Sequence, residues 1–318
     1  MNISFWNVRG LNKSSKQHLI KLFLSQYHLS YIALLETKIR ESRLKDVAKK
    51  IAKNWNWLSN VTNHGKARIW IMWNPNILDI QVNKISDQSI TCKVQSLDER
   101  MKCVITSIYG LNQMQARKDL WLELKMLQLS TINEPWLLCG DFNTVISNDE
   151  KFGGSILSEA DTKDFRDCIK DCNLNHLKTT GCFYTWNNKQ DQDSRVWSRL
   201  DMALVNDAWI HLYTSSQVEF LLPRFSDHFP ALVYFYDECP GGKKPFKFFN
   251  MWTKHDSFLL VVTTIWQTKI DEYKMYSVCM KLKQLRGALK DINKKHYYNI
   301  SEQVQRAKFA LDEAQGNL

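Results

Sequence analysis

The chain has 318 residues, of which 44% are hydrophobic and 24% are charged, so it is long enough for one large domain or two smaller ones and is not a disordered chain. Its formal net charge of +10 favours a polyanionic partner, either nucleic acid or an anionic membrane, with a basic solvated surface as the alternative. No apolar run reaches 18 residues and the eight cysteines form no C-x-x-C pair, so we expect neither a transmembrane helix nor a zinc or disulfide framework.

The first strand-like run begins at Ile3, and no signal-peptide pattern precedes it. The scattered cysteines fit a reducing compartment. We therefore expect a nuclear or cytoplasmic protein.

Short apolar runs rich in β-branched and aromatic residues recur along the first three quarters of the chain. They predict strands at residues 3–6, 31–35, 67–73, 90–94, 103–109, 136–139, 183–186, 202–205 and 231–235. Helical spacing of apolar residues predicts helices at 16–27, 116–129 and 159–172, the last with Ser158 as N-cap. This order predicts an α/β fold in which two stacked sheets are flanked by helices.

The composition changes near residue 237, where proline, glycine and charged residues cluster as in a linker. We therefore predict a domain at 1–236, a linker at 237–245 and a helical connector at 246–318. In the connector, apolar residues step by four and three over 278–292 and again over 300–314. This spacing predicts two amphipathic helices in a hairpin, and Asn299 with Glu302 could form a capping box for the second.

Polar side chains stand at the ends of the predicted strands. They are Asn7, Glu36, Tyr109, Asp141, Asn143, Asp201, Asp227 and His228. Strand ends along one edge of stacked sheets converge on a cleft, so these residues are candidates for one site. Glu36 and Asp227 offer the hard oxygen ligands that Mg²⁺ prefers, and Asn7 could position a ligand. For Glu36 the alternative is a surface strand end, and for Asn7 it is a turn.

The remaining polar residues suit proton transfer at a phosphate. Asp141 could deprotonate a water, held by Asn143, and His228 could stabilise charge in the transition state. Tyr109 could donate a phenol hydrogen bond to the phosphate. The alternatives are an Asx turn at 141–143, an ordinary aromatic at Tyr109, a structural histidine at His228, and an Asp201 that only pairs with a base such as Arg199.

Six short motifs carry a resemblance to a known family. They are Trp6-Asn7-Val8-Arg9-Gly10-Leu11, Leu35-Glu36-Thr37-Lys38, Tyr109-Gly110, Gly140-Asp141-Phe142-Asn143, Arg199-Leu200-Asp201 and Ser226-Asp227-His228. In this order they resemble the endonuclease/exonuclease/phosphatase superfamily, which includes the exonuclease III type of abasic-site endonucleases. The resemblance covers about residues 1–236 and implies a four-layered α/β sandwich with Mg²⁺-dependent, or alternatively Mn²⁺-dependent, phosphoester cleavage.

The resemblance also implies roles for the residues of these motifs. Glu36 and Asp227 would belong to the metal site and Asp201 would orient His228. Asp141 would align or deprotonate the attacking water. Abasic-site enzymes often carry an acidic residue where this chain has Arg9, which puts a second metal arrangement at that point in doubt.

A narrower resemblance lies further along the chain. Gly181-Cys182-Phe183-Tyr184-Thr185-Trp186-Asn187-Asn188 followed by Ser198-Arg199-Leu200-Asp201 is similar to the endonuclease domain of LINE-type (non-LTR) retrotransposon polyproteins, especially plant ones. The segment 245–252 and the helices after it are similar to the connector that precedes reverse transcriptase there. We therefore expect a truncated or domesticated element, whose C-terminal helices would meet a missing reverse transcriptase domain or another chain.

Taken together, these patterns predict a Mg²⁺-dependent endonuclease that nicks DNA and has no membrane partner. Lys38 and Arg68 would meet phosphates, and Trp186 would stack on a base or enter a groove, with core packing as its alternative. Two other functions remain open. The chain could hydrolyse a small phosphoester with the same fold, or it could be a catalytically silent relic that binds nucleic acid.

Overall fold

The computed structural model describes residues 2–61, 65–191, 194–235, 248, 250–270 and 274–296. The chain divides into two compact units, residues 1–237 and 238–318. The predicted linker at 237–245, the capping box of Asn299 with Glu302 and the second hairpin helix at 300–314 lie outside the described residues. Within the described part of the chain, every helix is either too short or too polar to traverse a lipid bilayer.

The first unit alternates strands and helices. In chain order the elements are β1 (Asn2–Asn7), α1 (Ser14–Gln26), β2 (Leu29–Arg40), α2 (Glu41–Ile51), β3 (Asn56–Val61), β4 (Lys66–Trp73), β5 (Leu78–Ile85), β6 (Ser89–Ser96), β7 (Lys102–Tyr109), α3 (Met114–Thr131), β8 (Trp136–Asp141), β9 (Lys151–Phe152), α4 (Glu159–Asp171), β10 (Asn175–His176), β11 (Thr179–Gly181), β12 (Trp186–Asn187), β13 (Trp197–Ser198), β14 (Asp201–Val205), α5 (Asp207–Leu212), β15 (Gln217–Phe220) and β16 (Ala231–Tyr234).

These strands form two large mixed sheets and one small one. The first has seven strands in the order β11-β15-β16-β1-β2-β4-β3, and the second has six in the order β10-β14-β8-β7-β6-β5. A three-stranded sheet, β12-β13-β9, is the smallest of the three.

Successive side chains of the central strands point to opposite faces of their sheet, so each large sheet packs against the other sheet on one face and against helices on the other. In β2, Tyr31, Ala33 and Leu35 belong to a core that both large sheets share, whereas Ile32 and Leu34 pack with α1 and α2 on the opposite face. On the second sheet, β7, β8 and β14 pack their outer side chains against α3 and α4. Since central strands are buried on both faces, they read as continuous apolar runs in the sequence. The predicted four-layered α/β sandwich is confirmed.

Some predicted elements differ from the structure. The strand predicted at 183–186 is wrong, because only Trp186 and Asn187 pair as β12. Phe183 is instead 49% exposed and packs edge-on against Tyr184, with ring centroids 5.1 Å apart. Sequence reasoning also missed β5, an edge strand whose Val82 and Ile85 remain exposed.

The second unit contains a short 3₁₀ segment at Asn250–Lys254, then α6 (Phe258–Gln267) and α7 (Lys274–His296). The apolar steps predicted over 278–292 fall within α7, which confirms the first hairpin helix. The second unit has a small core of Trp252, Leu289 and Ile292. Trp252 Nε1 donates a hydrogen bond to Asn293 Oδ1 at 3.0 Å.

Candidate active site

Strand register brings the predicted polar residues to one edge of the sandwich. β1 and β2 are parallel and pair Asn7, the last residue of β1, with Leu35, and Glu36 follows at an irregularity inside β2 between Leu35 and Ile39. β7 and β8 are parallel and pair Tyr109 with Asp141. β14 runs antiparallel to β8, so its first residue, Asp201, also lies opposite Asp141.

Asp141 follows a glycine that the close approach of β7 requires. Gly140 has a φ of +144°, and a Cβ there would lie 2.1 Å from the carbonyl oxygen of Ile108. A side chain at this position would therefore push β8 away from β7. The glycine thus fixes the backbone that carries Asp141.

Three residues, Asp141, Asp201 and His228, form what we call the buried group. Both carboxylates are fully buried, and His228 is 4% exposed. His228 Nδ1 lies 2.8 Å from Asp201 Oδ2, and His228 Nε2 lies 3.7 Å from Asp141 Oδ2. The imidazole therefore stands between two carboxylates, with Asp201 as its hydrogen-bonded partner.

The loop that carries His228 is anchored to β1. Ser226 Oγ donates to the carbonyl oxygen of Asn7 at 2.7 Å, and Trp6 Nε1 donates to that of His228 at 3.0 Å. His228 also forms an isolated β-bridge with Trp186. These backbone contacts hold the imidazole without using its ring nitrogens.

Burial and neighbouring charge set the proton affinities of the buried group. Burial raises the pKa of Asp141 to about 7, and the Asp201 carboxylate adds to this, although His228 and the hydrogen bond from Asn7 oppose it. For His228 burial lowers the pKa, but the carboxylates of Asp201 and Asp141 outweigh it and raise the pKa to about 9.

Two asparagines orient the Asp141 carboxylate. Asn7 Nδ2 donates to Asp141 Oδ2 at 2.9 Å, and the backbone N–H of Asn143 donates to Asp141 Oδ1 at 2.9 Å. Asn143 Nδ2 also donates to the carbonyl oxygen of Gly110 at 2.6 Å. The 141–143 segment is thus an Asx turn, as the alternative reading held, and it also fixes the carboxylate in one orientation.

Four further residues, Arg9, Glu36, Lys38 and Asp227, form what we call the rim group. Lys38 Nζ lies 2.6 Å from Glu36 Oε1. The Arg9 guanidinium contacts Asp227, and its Nε lies 3.9 Å from Glu36 Oε2. Asn7 Nδ2 donates to Glu36 Oε2 at 3.2 Å, which links the rim group to the buried group.

The backbone of the rim group is strained. Arg9, Glu36 and Lys38 have φ values of +46°, +52° and +54°, a left-handed conformation that non-glycine residues adopt at a cost. Burial would raise the pKa of Asp227, but the positive charges of His228 and Arg9 outweigh it and hold that pKa below its usual value.

Two sets of side chains could hold a divalent cation. Ligand atoms of Asp141, Asp201 and His228 lie within 4.8 Å of one another, and Asp201 Oδ1 is buried without a hydrogen-bond partner. Glu36 and Asp227 already share one cation, the Arg9 guanidinium. Because Mg²⁺ prefers carboxylates and retains water, the rim group fits it better than a site with a protonated imidazole.

The other predicted residues lie around these two groups. Tyr109 is 8% exposed at the end of β7, and burial with the nearby Glu36 carboxylate raises the pKa of its phenol well above the usual range. Arg68 lies on β4, and its charge opposes that rise in the pKa of Tyr109. Trp186 Nε1 donates to Asp227 Oδ2 at 3.0 Å, so its indole is tied to the site rather than packed only in the core.

Sequence reasoning missed two contributors to the site and mispaired a third residue. Arg9 was noted only as a departure from the family's pattern, and its position beside Asn7 was the available signal. Thr185 Oγ1 accepts a hydrogen bond from the backbone N–H of Asp201 at 2.9 Å, which no sequence signal indicated. Arg199, considered as a base for Asp201, instead pairs with Glu150 at 3.3 Å.

Comparisons with known proteins identify the family of this chain and structures that share its fold. The model of the endonuclease/exonuclease/phosphatase family matches residues 4–228. No curated protein matches the chain in sequence.

Solved structures share the fold. The endonuclease domain of TRAS1, a telomere-specific non-LTR retrotransposon, is 11% identical and has a TM-score of 0.58, with 74% of this chain and 99% of that one covered. An AP endonuclease from Leishmania major is 13% identical (TM-score 0.54, 73% and 86% covered). A mannosyl-6-phosphatase from Bacteroides thetaiotaomicron is 16% identical (TM-score 0.51, 74% and 98% covered). At these identities the likeness establishes the fold and not the substrate.

Proposed function

Because the chain belongs to the endonuclease/exonuclease/phosphatase family, we propose that it is a divalent-metal-dependent endonuclease that nicks DNA, of the kind carried by LINE-type retrotransposons. One observation carries the proposal. The Asp141 carboxylate accepts hydrogen bonds from two asparagines, and its Oδ2 lies 3.7 Å from the imidazole of the His228–Asp201 pair. That arrangement suits attack of an oriented water on a phosphodiester.

Asp141 is the proposed acceptor of the water's proton. A general base works best when its pKa lies near the working pH, and burial brings the pKa of Asp141 to about 7. Asn7 and Asn143 hold the carboxylate, so its free lone pairs keep one direction. The carboxylate is therefore already oriented before substrate binds, and no further orientational entropy is lost during the reaction.

His228 is the proposed positive charge beside the phosphate. With a pKa of about 9 its imidazole stays protonated at neutral pH, and Asp201 holds the ring through Nδ1. An imidazolium placed where negative charge develops stabilises the transition state more than the ground state. Tyr109, at the end of β7 opposite Asp141, is the proposed phenol donor to the same phosphate.

Glu36 and Asp227 are the carboxylates that would hold the metal ion. Bound Mg²⁺, or Mn²⁺ in its place, would supply charge neutralisation for the phosphate oxygens. The chain's own residues supply the remaining chemistry described above.

DNA is the proposed substrate because charged and aromatic side chains surround the site. Lys38 is 56% exposed, Arg68 is half-buried on β4, and Trp186 lies beside Asp227. Such a rim contacts phosphates and makes binding depend on salt. The net charge of +10 points the same way.

The organisation of the chain is part of the proposal. We assign the nuclease to residues 1–236, a linker to 237–245 and a connector to 246–318. The proposed partner of the connector is a reverse transcriptase domain or another chain, and the proposed location is the nucleus or the cytoplasm.

A plasmid-nicking assay tests the function. Supercoiled plasmid should become open circles with Mg²⁺ and remain supercoiled in EDTA. Asp141→Asn should abolish nicking while DNA affinity in EDTA stays unchanged, and Asp46→Asn, an exposed carboxylate on α2, is the matched control. DNA binding without nicking in the natural chain would favour the silent relic. Hydrolysis of a sugar or inositol phosphate without nicking would favour the small-molecule phosphoesterase.

A further inference from the structure

Arg9 is placed in the site by its backbone. Its N–H donates to Asn7 Oδ1 at 3.0 Å, and its φ is +46°. The loop that carries it is tied to the end of β2, since the N–H of Gly10 donates to the carbonyl oxygen of Glu36 at 2.7 Å. Lys16 Nζ donates to the carbonyl oxygens of Val8 at 2.8 Å and Gly10 at 3.0 Å. The loop therefore keeps its shape without the Arg9 side chain.

The guanidinium joins two carboxylates of unequal exposure. The Asp227 side chain is 5% exposed and that of Glu36 is 13%, whereas the Arg9 side chain is 54% exposed. A carboxylate buried to this degree is costly unless a charge or donor compensates it. The groups in direct contact with Asp227 are the Arg9 guanidinium, the indole N–H of Trp186 and the hydroxyl of Ser226, so Arg9 is the charged group among them, and the nearby His228 adds a second positive charge.

Lys38 does not duplicate this role. Its Nζ contacts Glu36, while Arg9 contacts both carboxylates. A guanidinium has five N–H donors in a fixed fork, so a contact with each carboxylate leaves donors on its exposed edge. Those donors are suited to a phosphate oxygen.

We propose that Arg9 is a built-in cation of the active site, which occupies Asp227 in place of a divalent ion and presents its exposed edge to the substrate phosphate. The site then takes one divalent ion, at Glu36, and not two. This inference rests on the proposed nuclease function, and it revises the metal site proposed above: Glu36 remains a metal ligand, whereas Asp227 is paired with Arg9.

Counting Mn²⁺ by electron paramagnetic resonance on the full chain tests the inference. The natural chain should bind one Mn²⁺. Arg9→Ala should bind two, and the first should bind on the order of tenfold more tightly because the competing positive charge 3.9 Å from Glu36 Oε2 is gone. Arg9→Gly should behave in the same way and removes the Cβ strain at a positive φ, so it remains informative if the alanine variant folds poorly. Arg43→Ala, on the exposed face of α2, loses the same charge and should still bind one ion.

Nicking measured on the same preparations separates the two proposals. Two ions in a natural chain that nicks DNA, or one ion with unchanged affinity in both Arg9 variants, would overturn the role of Arg9 alone. A natural chain that neither binds Mn²⁺ nor nicks would overturn the nuclease function as well.

Discussion

The buried group and the rim group share one edge of the sandwich, yet their surroundings suit them to different chemistry. In the buried group, burial and close charges shift the pKa of Asp141 and of His228 toward the neutral range or above it. In the rim group, Glu36 and Asp227 are matched by cations whose side chains are about half exposed. These surroundings suit the proton transfer proposed for the buried group and the cation binding proposed for the rim group.

The two groups meet at Asn7. Its side-chain amide donates both to Asp141 and to Glu36, at 2.9 and 3.2 Å. A change on either side can therefore reach the other through one fixed side chain. Substitutions in one group at a time test whether the buried group affects the nicking rate and the rim group affects metal binding.

The largest expected effect is on the buried group. His228→Ala should lower the single-turnover nicking rate by on the order of 10³-fold, because the imidazolium beside the phosphate is lost. The half-saturating Mg²⁺ concentration should stay within about twofold of the natural value. His18→Ala, an exposed histidine on α1, is the matched control. A large change in Mg²⁺ dependence with His228→Ala would contradict this division of roles.

Unlike His228→Ala, Glu36→Gln should change mainly the Mg²⁺ dependence of nicking. Losing a carboxylate ligand should raise the half-saturating Mg²⁺ concentration roughly 10- to 100-fold, with the rate partly restored at high Mg²⁺. Asp201→Asn keeps the shape of its side chain and should lower the rate without changing Mg²⁺ dependence. If Asp201→Asn weakens Mg²⁺ binding and Glu36→Gln does not, the metal belongs to the cluster of Asp141, Asp201 and His228, whose ligand atoms lie within 4.8 Å.

The sequence predicts much of this site and misses one part of it for a physical reason. Asp141 and Asn143 follow an apolar run, so their place at a strand end is readable from local pattern. The contact between Arg9 and Asp227 joins residues far apart in sequence and depends on a left-handed loop after β1. No periodicity reports such a loop conformation in a non-glycine residue. The pKa values of Asp141 and His228 depend on burial by the whole fold, so they too were beyond prediction.

The pKa values of Asp141 and His228 should give the nicking rate a bell-shaped dependence on pH. Asp141 must lose its proton to act as a base, so the rate should rise about tenfold per pH unit up to about pH 7. His228 must keep its proton, so the rate should fall above about pH 9. His228→Ala should lack the alkaline decline, which single-turnover rates from pH 5 to 10 would show. An alkaline decline that persists in His228→Ala would assign it to another group.

Substitution of Lys38 should give the smallest effects. It should strengthen Mg²⁺ binding and weaken DNA binding, so the two roles of the side chain can be told apart. In its ion pair with Glu36 the Lys38 side chain is 56% exposed, and ion pairs with so exposed a partner contribute about 1 kcal/mol or less. Lys38→Ala should therefore lower the half-saturating Mg²⁺ concentration only about two- to fivefold, because Glu36 loses a competing cation. DNA should bind a few-fold more weakly, and the slope of log affinity against log salt should fall by about 0.9, as for one lost phosphate contact. Lys45→Ala, on the exposed face of α2, should show neither change. If DNA affinity falls and the half-saturating Mg²⁺ concentration stays the same, Lys38 contacts the substrate but does not compete with the metal ion. Arg9 would then be the residue of the rim group that competes with a divalent ion.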